Sequence, residues 1–94
     1  MPSYKAAHLH EQGQDMIIFP LERSFGNQTQ SAQASQLDML EDRANSAGLR
    51  GSAVVVWDNG GGRMGFMGPR AWHPFLRSIN LQFVLSNLNQ EISW

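Results

Sequence analysis

The chain predicts a small two-layer α+β protein of order ββαββα, a four-stranded antiparallel sheet with two helices on one of its faces. Three observations predict it. Four short runs are alternating or rich in β-branched and aromatic residues, and they fall in two pairs with glycine-containing turns. Each pair is followed by a segment with apolar residues at helical spacing. The 94 residues are 41% hydrophobic and 16% charged, a balance that fits a globular chain with one modest core. The expected organisation is a single α+β domain over 1–94.

The first pair begins with Tyr4 to His10, which alternates weakly, and turns at "EQGQ", where Gly13 can take positive φ. "DMIIFPL" follows as a strand, with Ile17, Phe19 and Leu21 on one face and Met16 and Ile18 on the other. Both faces are apolar, so this strand should be covered on both sides. Pro20 falls near its end, where a missing backbone donor is tolerated.

After "RSFGNQTQS" a helix is predicted from about Gln28 or Ser31 to Ala47. Asn27, Thr29 and Ser31 can each cap its start. Leu37, Leu40, Ala44 and Ala47 share one face. Two of these are alanine, so the helix packs closely but buries little area. Gly48 suits a left-handed cap, and Leu49 can close the motif hydrophobically.

The second pair opens on "GSAVVVWD", with Ala53, Val55 and Trp57 on one face and Val54 and Val56 on the other. In "WDNGGGRMGF", Gly60, Gly62 and Gly65 satisfy G-x-G-x-x-G, the spacing of a dinucleotide-binding loop. That loop must open a helix and needs an acidic residue about 20 positions on. Here Met64 and Phe66 alternate with Gly65 and Met67, Gly68-Pro69 follows, and no such acid is present. "NGGG" therefore reads as the turn of a hairpin pairing Ala53–Trp57 with Arg63–Met67. No Walker A pattern follows the glycines either.

A final helix is predicted from His73 or Pro74 to Glu91 or beyond, with Pro74 in its first turn. It carries two apolar stripes, Leu81, Val84, Leu85, Leu88 and Ile92 on one side and Phe75, Leu76, Ile79 and Phe83 on the other. A surface helix needs one. Three arrangements account for two: a second subunit covers one stripe, the helix is bent or broken so that each half faces the core, or a hydrophobic partner protein binds. The first predicts a homodimer with Leu81, Leu85, Leu88 and Ile92 at the contact and Trp94 beside it.

The chemistry-bearing residues are sparse. There is no cysteine, which removes disulfides, thiolate nucleophiles and cysteine metal sites. "MPSYKAAHLH" has no apolar run, so no signal peptide is expected. No stretch reaches membrane-spanning length, and a cytoplasmic location away from membranes follows as the expectation. His8 and His10 share a strand face, a spacing that suits two metal ligands or two surface histidines, and no third ligand is specified. No metal and no cofactor are expected. His73 lacks a G-x-S-x-G serine partner around Ser24 or Ser52. Asp38, Glu41 and Asp42 read as a solvated helix face.

Charge is uneven although the net is −1. Residues 1–49 hold most of the acids. Residues 50–94 carry Arg50, Arg63, Arg70 and Arg77 against Asp58 and Glu91. The leading expectation is a non-catalytic binding or regulatory protein that self-associates and meets an unknown protein partner. The first alternative is a nucleic-acid-binding module using Arg63, Arg70, Trp72 and Arg77 of the second unit. The second is a small-molecule binder or enzyme with a pocket near Trp57, Arg63 and His73.

Overall fold

The computed structural model describes residues 3–11, 13–60 and 63–93. Strands β1 (Ser3–Glu11) and β2 (Gln14–Leu21) form the expected hairpin, with Ala7 opposite Ile18 and Glu11 opposite Gln14. Gly13 turns the chain at φ 75°. A short 3-10 helix, Arg23–Asn27, then drops Phe25 into the core.

Helix α1 runs Gln30–Ser46, and Thr29 is its cap: the hydroxyl oxygen accepts from the Ala32 N–H at 3.1 Å. At the other end Gly48 adopts φ 93°, and the Leu49 N–H donates to the Ala44 carbonyl at 3.0 Å. Leu40 and Ala44 are buried, and Leu37 and Leu49 pack half-buried beside them. Ala47, expected on the same face, is the C-cap residue and is exposed. The Glu41 carboxylate accepts from the Ala53 N–H at 3.1 Å and ties α1 to the start of the next strand.

Strands β3 (Ser52–Asp58) and β4 (Met64–Met67) pair antiparallel, with Val55 opposite Met67 and Asp58 opposite Met64. The turn between them holds Gly60 at φ 88°; the Asp58 carboxylate accepts from its N–H at 2.9 Å. The Asn59 N–H donates to the Arg63 carbonyl at 2.9 Å. A hairpin at this glycine stretch is therefore what forms, although Gly61 and Gly62 lie outside the described residues.

The sheet differs from the expected one. It is mixed and has five strands, in the order β4-β3-β2-β1-β5, and β2 and β3 run parallel with Phe19 opposite Val55. The reason lies in the connection. A two-residue turn joins antiparallel neighbours only, whereas α1 is long enough to carry the chain back for a parallel pairing of β3 on β2. The layering differs too. One apolar cluster joins Ile17, Phe19, Ala53 and Val55 to Phe25, Leu40 and Ala44. The other joins Met16, Ile18, Val54 and Val56 to Trp72, Leu76 and Val84. The first helix covers one face and the later helices the other, so the apolar side chains on both faces of β2 and β3 are used within the chain.

The final helix is broken. A 3-10 turn (Arg70–Trp72) leads into α2 (His73–Ser78), and α3 spans Leu81–Ser86. Asn80 starts the second piece, its side-chain oxygen accepting from the Phe83 N–H at 2.8 Å. Each piece buries one apolar residue fully against the sheet, Leu76 from α2 and Val84 from α3. The break lets each stripe contribute to the same core, with Leu81 and Leu88 partly and Leu85 half outside it. The predicted helical end is instead strand β5 (Gln90–Ser93), antiparallel to β1 with Ser3 opposite Ser93 and Ala6 opposite Gln90.

Asn89 closes the outer edge of β1. Its N–H donates to the Ala6 carbonyl at 3.1 Å. Its side chain then acts as a strand residue would, Oδ1 accepting from the His8 N–H at 2.9 Å and Nδ2 donating to the His8 carbonyl at 3.1 Å.

Candidate functional site

Three surfaces hold the residues singled out by the sequence. The first lies beside β4, at the rim of the sheet. Trp57 and Met67 reach it from the α1 side, Phe66 and His73 from the other side, and Gln28, Gln30 and Gln33 line it at the start of α1. The groove is open to solvent and has a volume of about 550 Å³. The Trp57 indole is gripped between two glycines. A Cβ on Gly26 would stand 2.6 Å from its Nε1 and one on Gly65 2.5 Å, so neither position has room for a side chain. The Phe25 ring stacks on it, tilted, at 5.1 Å. Trp57 Nε1 is the one buried side-chain polar atom without a partner among the described residues. The His73 Nε2–H donates to the Gly68 carbonyl at 3.1 Å, and its ring meets Phe66 edge-on at 5.2 Å.

Trp57 and His73 thus share a groove. Arg63 does not join them: it lines a separate depression with Asp58, Asn80, Leu81 and Gln82. Sequence spacing gave no sign of this, because Arg63 sits before β4 and His73 beyond its other end. Nor does a nucleophile assemble. Among the described residues no polar or charged side chain is buried, and His73 has no hydrogen bond to Ser24, Ser52 or Asp58.

The second surface is the outside of α2 and α3. Leu85 is 50% exposed. Phe75, Ile79, Leu81, Phe83 and Leu88 are half-buried against the cluster beneath, with the Phe75 and Phe83 rings edge-on at 6.3 Å. Of the four expected contact residues, Leu81, Leu85 and Leu88 stay on this side. Ile92 does not, because β5 turns it into the opposite cluster, where it is 4% exposed. Trp94 lies outside the described residues. Trp72, proposed as a base-stacking aromatic, is 7% exposed and forms part of the core. Arg63, Arg70 and Arg77 are exposed, with no ion pair among the described residues.

The third surface is the tip of the first hairpin. The His8 Nε2–H donates to the Arg50 carbonyl at 2.9 Å. His10, opposite Asp15 in the ladder, donates from Nδ1 to its carboxylate at 2.5 Å. The two histidines are committed to different partners, and among the described residues no group of three or more candidate ligands could hold a metal. The His10 hydrogen bond holds the Asp15 carboxyl below its ordinary pKa, helped by the charges of His10, His8 and Arg50 and opposed by desolvation. A depressed carboxylate adds stability above its unfolded pKa, and that stability is lost as pH falls through the folded value. Asp15→Asn should therefore lower the urea midpoint at neutral pH, and the gap to the unmodified protein should close below about pH 4. Equal gaps at pH 7 and pH 3 would refute this. Gln12 and the side chain of Glu11 lie outside the described residues.

Sequence reasoning did not find Asn89, Gly26 or the glutamines of the groove. The first two act through contacts made far along the chain. The glutamines carried a local signal, three in the six residues 28–33, but one that reads equally as a solvated helix start. No helix of the described residues is long and apolar enough to cross a membrane. No protein-family model, curated protein or solved structure matches the chain.

Proposed function

We propose that the protein is a non-catalytic binding protein that works by association, in the first place with a second copy of itself through α2 and α3. The observation that carries this reading is Leu85, half exposed one turn after the half-buried Leu81. In the same thin helical layer Phe75, Ile79, Phe83 and Leu88 are only half-buried, so apolar area remains on its outer side, and soluble proteins tend to cover such area. The surface carries almost no charge. No acidic residue stands between Asp58 and Glu91, and α2 and α3 contribute only Arg77 as a permanent cation. A neutral apolar face suits a self-complementary two-fold contact, the commonest closed assembly.

Sedimentation equilibrium at micromolar concentration is expected to give twice the 10.5 kDa chain mass. Leu85→Glu should keep the circular dichroism spectrum of the fold, since its own core does not need this side chain. It should weaken the dimer at least about a hundredfold, because a carboxylate would be buried without a partner. A mass of 10.5 kDa for the unmodified chain would overturn the reading.

A further inference from the structure

We propose that β4 is a docking edge for an acidic, extended peptide segment, which adds to the sheet as a sixth strand beside the Trp57–His73 groove. The argument starts from the ladder. The Asn59–Arg63 bond of the turn sets the alternation, so Gly65 and Met67 direct their main-chain groups to β3. Met64, Phe66 and Gly68 direct theirs outward. The Gly68 carbonyl is taken by His73. No hydrogen bond among the described residues reaches the outward groups of Met64 and Phe66.

The edges of the sheet are β4 on one side and, on the other, β5 followed by the stretch of β1 that continues past it. At β1 the open main-chain pair of His8 is filled by the Asn89 side chain. At β4 nothing equivalent is present among the described residues, and the rim opens directly onto the groove. An unpaired edge is a template for another strand. In strand addition, main-chain bonds give affinity and pockets for alternate side chains give specificity. The groove supplies such a pocket, with apolar walls from Trp57, Phe66 and Met67 and amides from Gln28, Gln30 and Gln33.

Charge selects the occupant. Exposed Arg63 precedes β4 and exposed Arg70 follows it. Arg23 comes up beside the turn, its Nη2 3.3 Å from where a Gly60 Cβ would stand. The adjacent acid, Asp58, accepts from the Gly60 N–H within the turn. Antiparallel pairing of β4 with the same strand of a second copy would bring Arg63 of one chain toward Arg70 of the other. Like charges there oppose self-pairing, whereas carboxylates on an added strand meet arginines at both ends.

The probe is a blocked alternating Val-Glu octapeptide, titrated at low salt into the isotopically labelled protein. Saturable amide shifts on Met64 to Gly68, with shifts of the Trp57 indole N–H, are expected. The matching Val-Lys peptide should bind at least about tenfold more weakly, and added salt should weaken the Val-Glu complex. Arg63→Glu combined with Arg70→Glu, both at exposed positions, should reverse the preference between the two peptides. No saturable binding, equal affinity for both peptides, or shifts confined to α2 and α3 would each overturn the proposal. So would shifts at β4 produced by single-stranded oligothymidylate and not by the peptide, which would move these arginines to nucleic-acid binding.

Discussion

Phe19→Ala is expected to lose about 3 to 5 kcal/mol of folding stability, the usual range for removing a buried ring. Phe19 is fully buried on β2, the middle strand of the five. It packs with Ile17, Leu40, Ala44 and Val55, and the Tyr4 ring meets it edge-on at 6.5 Å. The helix above offers Leu40 and Ala44 to this part of the core, and Ala44 is too short to reach into the space a lost ring would leave. A chain of this length has roughly 5 to 14 kcal/mol in total at ordinary per-residue stability, so the variant should sit near the edge of folding. Urea unfolding at fixed protein concentration measures it, the midpoint falling with the slope unchanged. Met39→Ala, on the exposed side of α1, is the control and should change stability by less than about 0.5 kcal/mol. A loss below about 1.5 kcal/mol at Phe19 would show that the layer over β2 collapses to fill the space.

The second large effect is expected at Gly51, at the entry to β3. Its φ is 119°, and a Cβ there would stand in the main chain of β2, overlapping the carbonyl oxygen and carbon of Asp15. Asp15 cannot retreat, because its ladder partner His10 and the pairing of Met16 with Ser52 hold it on both sides. Gly51→Ala should cost about 3 kcal/mol or more, combining the strained backbone with a main-chain clash. Gly13→Ala separates the two contributions. Gly13 has φ 75° but open space around it, so only the left-handed penalty of about 1 to 2 kcal/mol applies. Thermal or urea unfolding of both variants decides the matter. Equal losses would mean that β2 and β3 part at this end without cost.

The local elements were legible because their signals are local. Both hairpins, a cap among Asn27, Thr29 and Ser31, and the Gly48 terminus follow from residues within a few positions of each other. The sharing of faces along β2 and β3 was legible for the same reason. The apolar character of both faces of Ile17–Phe19 and Val54–Val56 also held the clue to coverage from two sides, and to a parallel pair, since buried parallel strands read as continuous apolar runs. Placing both helices on one face left that clue unused. The break at Asn80 was masked because Leu81 to Leu88 continues a helical spacing across it, and spacing alone does not register a cap. "NQEIS" has no strand alternation worth reading. Its pairing is decided by β1, more than eighty residues earlier, and by the Asn89 side chain. The candidate site was legible in part: Trp57 and His73 converge, while Arg63 is carried to another depression by the turn of the hairpin.

The pairing of β5 with β1 has a consequence for the chain as it is made. Every other strand finds a neighbour soon after synthesis, β1 with β2 across a tight turn and β4 with β3 across another. The outer edge of β1 must wait for Asn89 and β5, and at roughly 5 to 20 residues per second it stands open for several seconds after β1 itself appears. During that interval Ala6 and Ile17 lack the Ile92 side chain that completes their cluster. The first hairpin then has an edge left open, and pairing with β5 is what closes it.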